Sequence, residues 1–223
     1  MNAAAFGNAV PRDNPYIYVT WIAKLMSGEH QCAWAAWFKA HYTHEKLPSR
    51  GSLEGWQANH NDLLQRRRSI LARDDFRVFV EAQNKFTLPS KDGRVSIGGK
   101  IDIVAVKPGG VVIEECKTGL PRNSDLMQLL IYMLLGPLAL EKCRKADLHG
   151  RLVYPDKVIE VPAVRVTDAF RTQFRLTVER IGADSPPDFT PSLQECGWCN
   201  IGSVYCDARI ESHEDETIEH DVF

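Results

Sequence analysis

The sequence predicts an α/β domain, a central mixed β-sheet flanked by helices. Three observations lead there. Apolar residues recur at helical spacing over much of the first 75 residues, the period switches to alternation across 76–117, and helical and alternating segments then take turns. With 223 residues, 44% hydrophobic and 25% charged, the chain has the length and composition of one ordinary domain able to bury a real core.

The elements follow in order. "YVTWIAKLMSGEHQCAWAAWFKAHY" reads as two helical pieces, with Gly28 as the break and Cys32 opening the second. "SLEGWQANHNDLLQRRRSILARDD" is a further helix with Ser52 as its N-cap. "FRVFVEAQNKFTL", "VSIGGKIDIVAVK" and "GVVIEECK", joined by short Gly-containing turns, predict an antiparallel meander of three strands. "SDLMQLLIYMLLGPLAL" is a strong core helix, with Ser124 as its N-cap and Gly136-Pro137 breaking or kinking it. Gln128, Asp125 and Glu141 interrupt or bound that run, which makes it a core helix rather than a membrane span. "LHGRLVYP" and "KVIEVPAV" form a strand pair, and "TDAFRTQFRLTVERIG" a last long helix capped by Thr167 or Asp168 and ended by Gly182. Beyond "SPPDFTP" the chain is Cys-rich and irregular.

Charge is less telling. The formal net charge is −2, but Glu211–Phe223 holds six of the 29 acidic residues and no Lys or Arg. Without that segment, which reads as a solvated, disordered tail, 27 basic residues face 23 acidic ones, a net of +4. The first 15 residues lack a basic start and a sustained apolar stretch, so a cytoplasmic location is expected, and six cysteines are then not three disulfides.

The chemistry concentrates at the end of one strand. "VVIEECKTG" carries an apolar run into Glu114, Glu115 and Lys117, and buried charges are costly unless paired or metal-bound. Strand alternation puts Glu115 and Lys117 on one face and Glu114 and Cys116 on the other. If "KIDIV" and "VVIEECK" pair across "KPGG", Asp102 comes close to Glu115. Two carboxylates that near repel, and a divalent cation with oxygen preference such as Mg²⁺ relieves the repulsion. A lysine beside it orients or deprotonates an attacking water and offsets charge on a phosphate. The spacing D-x(12)-E-x-K alone fits a surface hairpin with solvated charges equally well.

"GGKIDIVAV", "VVIEECKTG" and "SDLMQLLIYMLL", in this order, resemble the core motifs of RecB-like nucleases in the PD-(D/E)XK superfamily. The resemblance implies a restriction-endonuclease-like core in which Asp102 and Glu115 bind Mg²⁺ or Mn²⁺ together with the backbone carbonyl of Cys116. It makes Lys117 catalytic and adds Gln128 and Tyr132, one helical turn apart, as the Gln-x-x-x-Tyr of the next helix. Ile101 stands where the superfamily name has Pro. RecB-like members also carry a metal-binding His on an upstream helix, and "GWQANHNDLL" offers His60; an exposed helical His is the commoner reading of such a residue.

Cys196, Cys199 and Cys206 form C-x(2)-C-x(6)-C, a soft-metal spacing that serves zinc and iron–sulfur clusters alike. Cys116 and Cys143 lie in core elements, which leaves Cys32 as the fourth thiol. One N-terminal Cys plus a C-terminal trio around such a core resembles the iron–sulfur nucleases, most of all the CRISPR-associated RecB-like exonucleases. That resemblance implies a [4Fe–4S] cluster joining the two chain ends and a single nuclease domain over 16–206, with 1–15 as a lead-in and 207–223 as a tail. It implies an exonuclease acting on single-stranded DNA ends, processing spacer precursors for a CRISPR integrase complex. Two other readings are a nuclease of DNA repair or phage biology, and a catalytically silent DNA-binding iron–sulfur module. Arg66, Arg67, Arg68 and Arg73 read either as a solvated helix face or as phosphate contacts; Trp34, Trp37, Phe38 and Tyr42 read as core rather than base-stacking platforms.

Overall fold

The computed structural model describes residues 6–48 and 53–211. The strands are β1 (Val10–Pro11), β2 (Tyr16–Tyr18), β3 (Tyr42–Thr43), β4 (Arg77–Val80), β5 (Lys85–Pro89), β6 (Ser96–Lys100), β7 (Ile103–Lys107), β8 (Gly110–Cys116), β9 (Leu148–Val153) and β10 (Val158–Val161). The helices are α1 (Val19–Met26), α2 (Ala33–His41), α3 (Leu53–Arg73), α4 (Asn123–Ala139), α5 (Asp168–Gly182) and α6 (Leu193–Trp198). A five-stranded sheet runs in the order β10-β9-β8-β7-β4, and a three-stranded sheet in the order β2-β6-β5. The larger sheet is antiparallel except for β8 and β9, which pair in parallel across the α4 crossover. The mixed sheet of the sequence reading is therefore present. Among the described residues, no helix is long and apolar enough to cross a membrane.

The strand β8 is buried along six of its seven residues because helices cover both its faces. On one face Leu63, Leu64 and Leu71 of α3 pack against Ile103, Ala105, Val112, Cys116 and Val153. On the other, Leu129, Leu130, Ile131 and Met133 of α4 join Val104, Val111 and Ile113 in the main core, which α1 and α5 complete.

The predicted meander needs correction. Its first two strands each break and change sheets: "FRVFV" and "IVAVK" belong to the large sheet, "KFTLP" and "SIGGK" to the small one. A single 3₁₀ turn, Glu81–Asn84, makes the corner, with Glu81 at φ 35°. Buried Asn84 pins it by donating to the carbonyls of Phe79 and Ile101, and the Glu81 N–H donates to the Asp102 carbonyl at 2.9 Å. Alternation persists through a corner, so the pattern did not reveal it. In the small sheet, Gly98 and Gly99 leave room for Tyr16 and Phe86, whose rings lie where a Cβ would be.

The caps divide. Thr167 caps α5 as expected, its hydroxyl accepting from the Phe170 N–H. Ser124 is not the N-cap of α4; it lies inside the first turn, and Arg122 occupies the cap. The Glu29 carboxylate, from the loop after α1, accepts from both the N–H and hydroxyl of Ser124 at 2.8 Å. A tertiary contact thus satisfies what a local cap would otherwise serve. The Gly136-Pro137 pair does not break α4, which runs on to Ala139. Ser52 lies outside the described residues, as does the acidic tail from residue 212 onwards.

Candidate metal-dependent active site

The corner described above brings the carboxylates together. In the β7–β8 ladder Ile103 pairs with Glu114, so one step further Asp102 comes opposite Glu115. The Asp102 Oδ2 accepts from the Cys116 N–H at 2.8 Å, which locks the acidic side chain onto the end of β8. Both carboxylates are buried, Asp102 6% and Glu115 3% exposed. The alternation holds as expected: Glu115 turns towards α4, while Glu114 and Cys116 turn towards α3.

Lys117 extends over this pair. Its Nζ lies 3.0 Å from Glu115 Oε1 and 3.7 Å from Asp125 Oδ1, and it donates to Gln128 Oε1 at 3.0 Å. The Gln128 amide donates in turn to Glu115 Oε1 at 2.6 Å, an orientation dictated by a lysine that only donates and a carboxylate that only accepts. Tyr132, one turn on, donates its hydroxyl to the Lys100 carbonyl at 3.0 Å and holds α4 against the small sheet. Asp102, Glu115, Lys117, Gln128 and Tyr132 thus converge on one cleft.

The electrostatics match this crowding. Burial, reinforced by the neighbouring Asp102, pushes the Glu115 carboxyl up to about 8 from 4.5, with Lys117 offsetting part of the shift. Burial acts to lower the Lys117 ammonium, but Glu115 and Asp125 outweigh it and raise it, so it stays cationic. The Glu115 Oε2 is buried and has no hydrogen-bond partner among the described residues. Such an orphaned, desolvated oxygen fits a cation ligand.

His60 lies on α3 with its Nε2 3.7 Å from Asp102 Oδ1 and 3.9 Å from Glu81 Oε1. His60, Glu81 and Asp102 each offer one ligand atom, all within 4.8 Å of one another. His60 is 6% exposed, against the exposed helical histidine that is commoner at such a position. Glu81 escaped the sequence reading. Its only signal was a carboxylate inside an apparently alternating strand, and the corner that turns it inward is a tertiary feature. Cys116 contributes its N–H to Asp102, fixing the backbone whose carbonyl is a further candidate ligand.

Two other acidic residues acquire partners. Glu114, fully buried, receives Arg67 through two hydrogen bonds of 3.0 and 2.6 Å, with Arg151 Nη1 at 3.4 Å. Of the Arg66–Arg68 run, Arg67 therefore points into the protein and is not a free phosphate contact. Asp125 accepts from the Tyr154 hydroxyl at 2.9 Å and from the Arg122 N–H at 3.0 Å, which positions it beside Lys117.

The cysteines separate into two groups. Cys116 and Cys143 are buried in the core, where burial raises both thiols, Cys143 to about 11. Cys32, Cys199 and Cys206 pack against the hydrophobic cluster of Trp34, Trp37, Phe38, Ile201 and Tyr205, which Tyr42 also joins, so Trp34, Trp37, Phe38 and Tyr42 are core, as expected. Burial pushes Cys206 up to about 11, and Cys32, Cys199 and Cys196 lie near enough to add to it. Glu195, beside Cys196, accepts from the N–H groups of Gln31 and Cys32, stitching the two chain ends together. Cys32, Cys196, Cys199 and Cys206 are thus free thiols near one another. Among the described residues, however, the group whose ligand atoms all lie within 4.8 Å of one another is His60, Glu81 and Asp102, and the four sulfurs do not form such a closed set.

A proton count tests the carboxylate site. Glu115 carries a proton in the folded, metal-free protein between pH about 4.5 and about 8 that the unfolded chain lacks. Metal-free stability from this group is therefore full below the unfolded value and lost as pH rises through that window. In EDTA, the wild-type melting temperature should fall from pH 5 to 9 relative to Glu115→Gln, and Mn²⁺ should bind more tightly with rising pH. Parallel melting profiles for the two proteins would place Glu115 outside such a site.

Comparison with known family models agrees with this geometry. The family model described as the PD-(D/E)XK nuclease superfamily matches residues 21–206. Among solved structures, the crystal structure of SSO0001 aligns with a TM-score of 0.46 at 20% identity, covering 90% of each chain. No curated protein matches the chain.

Proposed function

The chain belongs to the PD-(D/E)XK nuclease superfamily, and from that premise we propose a metal-dependent exonuclease that hydrolyses phosphodiester bonds at single-stranded DNA ends. The observation that carries the proposal is the convergence of Asp102 and Glu115 at the end of β8, beside the His60, Glu81 and Asp102 group. Asp102 is bonded to the Cys116 N–H, and Glu115 has its Oε1 held by Lys117 and Gln128 while its buried Oε2 has no partner among the described residues. His60, Glu81, Asp102 and Glu115 would hold the Mg²⁺ or Mn²⁺ ion, with the Cys116 carbonyl. Such an ion, when bound, supplies a more acidic water and neutralises charge on the scissile phosphate. Lys117, kept cationic by Glu115 and Asp125, donates to a non-bridging phosphate oxygen as negative charge builds there. Gln128 holds Lys117 and Glu115 in register, and Tyr132 fixes the helix that carries Gln128.

Cys32, Cys196, Cys199 and Cys206 hold, in this reading, a [4Fe–4S] cluster that joins the chain ends; their shared region and the likeness of their spacing to iron–sulfur nucleases support it. The same likeness favours a role in CRISPR adaptation, trimming spacer precursors ahead of an integrase complex. Protein purified without oxygen should be brown, contain iron and sulfide, and shorten end-labelled single-stranded DNA with Mn²⁺. Colourless protein with one zinc would overturn the cluster, and inert single-stranded DNA would overturn the activity. An integrase gene beside this one supports the CRISPR role, and an isolated locus counts against it.

A further inference from the structure

The cleft over the carboxylates has a volume of about 1100 Å³, and aromatic and cationic side chains line it, including Trp56, Tyr18, Lys24, Lys100 and Arg122. Trp56 stands out within it. It lies one turn before His60 on α3, and its ring stacks on the imidazole at 5.1 Å with an interplanar angle of 12°. One face is thereby covered, yet the residue remains 51% exposed. Core packing does not account for a tryptophan so placed, since the larger part of its apolar surface gains nothing from burial. The histidine beneath it is the same one that faces Asp102 and Glu81.

We propose that Trp56 is a base-stacking platform that seats an unpaired nucleobase beside the scissile phosphate. This rests on the nuclease reading above and adds what that reading lacks, a reason for the strand to be single. A ring stacked on a candidate metal ligand places any base upon it within a nucleotide or two of the reacting phosphate. A base inside a duplex has both faces occupied by its neighbours and cannot offer one to Trp56 without unstacking. An aromatic face accepts every base, so the platform selects strandedness rather than sequence. Lys24 and Arg122 bind the backbone, Lys100 being held by Glu81 at 2.7 Å, and their contribution is independent of whether bases are present.

That independence supplies the test. Affinities in EDTA are measured by fluorescence anisotropy for a labelled oligo-dT and for an abasic oligonucleotide of equal length, with wild type, Trp56→Phe and Trp56→Ala. Wild type should favour oligo-dT by roughly tenfold or more, the size of one aromatic–base stack. Trp56→Ala should lose that preference while binding the abasic strand as wild type does, and Trp56→Phe should keep most of it. If Trp56→Ala weakens both ligands equally, or still prefers oligo-dT, the platform is refuted while the nuclease reading stands. If wild type neither binds oligo-dT nor cleaves it with Mn²⁺, the reading beneath the proposal falls with it. Omitting metal keeps any disturbance of His60 as a ligand out of the comparison.

Discussion

Lys117→Ala should lower cleavage of single-stranded DNA by about 10²- to 10⁴-fold, the range for a positioned side chain that handles charge or protons in the transition state. The expectation follows from its surroundings. Its Nζ lies 3.0 Å from Glu115 and 3.7 Å from Asp125, and it donates to Gln128, so the ammonium is held in place before any substrate arrives. Its removal leaves Glu115 and Asp125 without their cation, but the Glu115 carboxyl, pushed up to about 8, can hold a proton instead of a stranded charge, so the fold should persist. Oligonucleotide binding without metal should change by only a few-fold, because other cations line the cleft. Combining Lys117→Ala with Glu115→Ala should cost little more than either alone, since both disable one site. Single-turnover cleavage with Mn²⁺ checks this; a Lys117→Ala protein within tenfold of wild type would remove Lys117 from the reaction.

The second large effect is on stability. Arg67→Ala should destabilise the fold by about 3–5 kcal/mol, because it strands the Glu114 carboxylate, which is fully buried. For a chain of this size that is roughly 6–20 °C in melting temperature. Arg151 remains at 3.4 Å and places the effect towards the lower end. The neighbouring Arg66→Ala is the control. Its pairing with Asp62 at 3.1 Å is exposed, and its loss should cost under about 0.5 kcal/mol. The double change Arg67→Met with Glu114→Leu should recover most of the stability, since a buried ion pair and its apolar replacement are often equivalent. Equal melting of Arg66→Ala and Arg67→Ala would show that Glu114 does not depend on Arg67.

Much of this molecule is determined by sequence alone because its signals are local. The periods of α1 to α5, the break at Gly28 and the Thr167 cap rest on interactions within a few residues, so they are legible before folding is considered. The approach of Asp102 to Glu115 is nearly local too, since one short hairpin joins them. The sequence marks His60, Gln128 and Tyr132 only through a resemblance; their arrival at the same cleft is tertiary. The corner at Glu81–Asn84 was invisible because side-chain alternation continues through a bend, and Glu81 joined the site unannounced. The start of α4 misled for the same reason in reverse: Ser124 has the chemistry of a cap, but Glu29, 95 positions earlier, takes its donors. Arg67 and Glu114 are alike in this. Each reads in sequence as one charge among several, and only the packing of α3 onto β8 decides that they neutralise each other in the dark of the core. Local patterns fix which residues carry charge and which turn helical; long-range packing decides which charges meet.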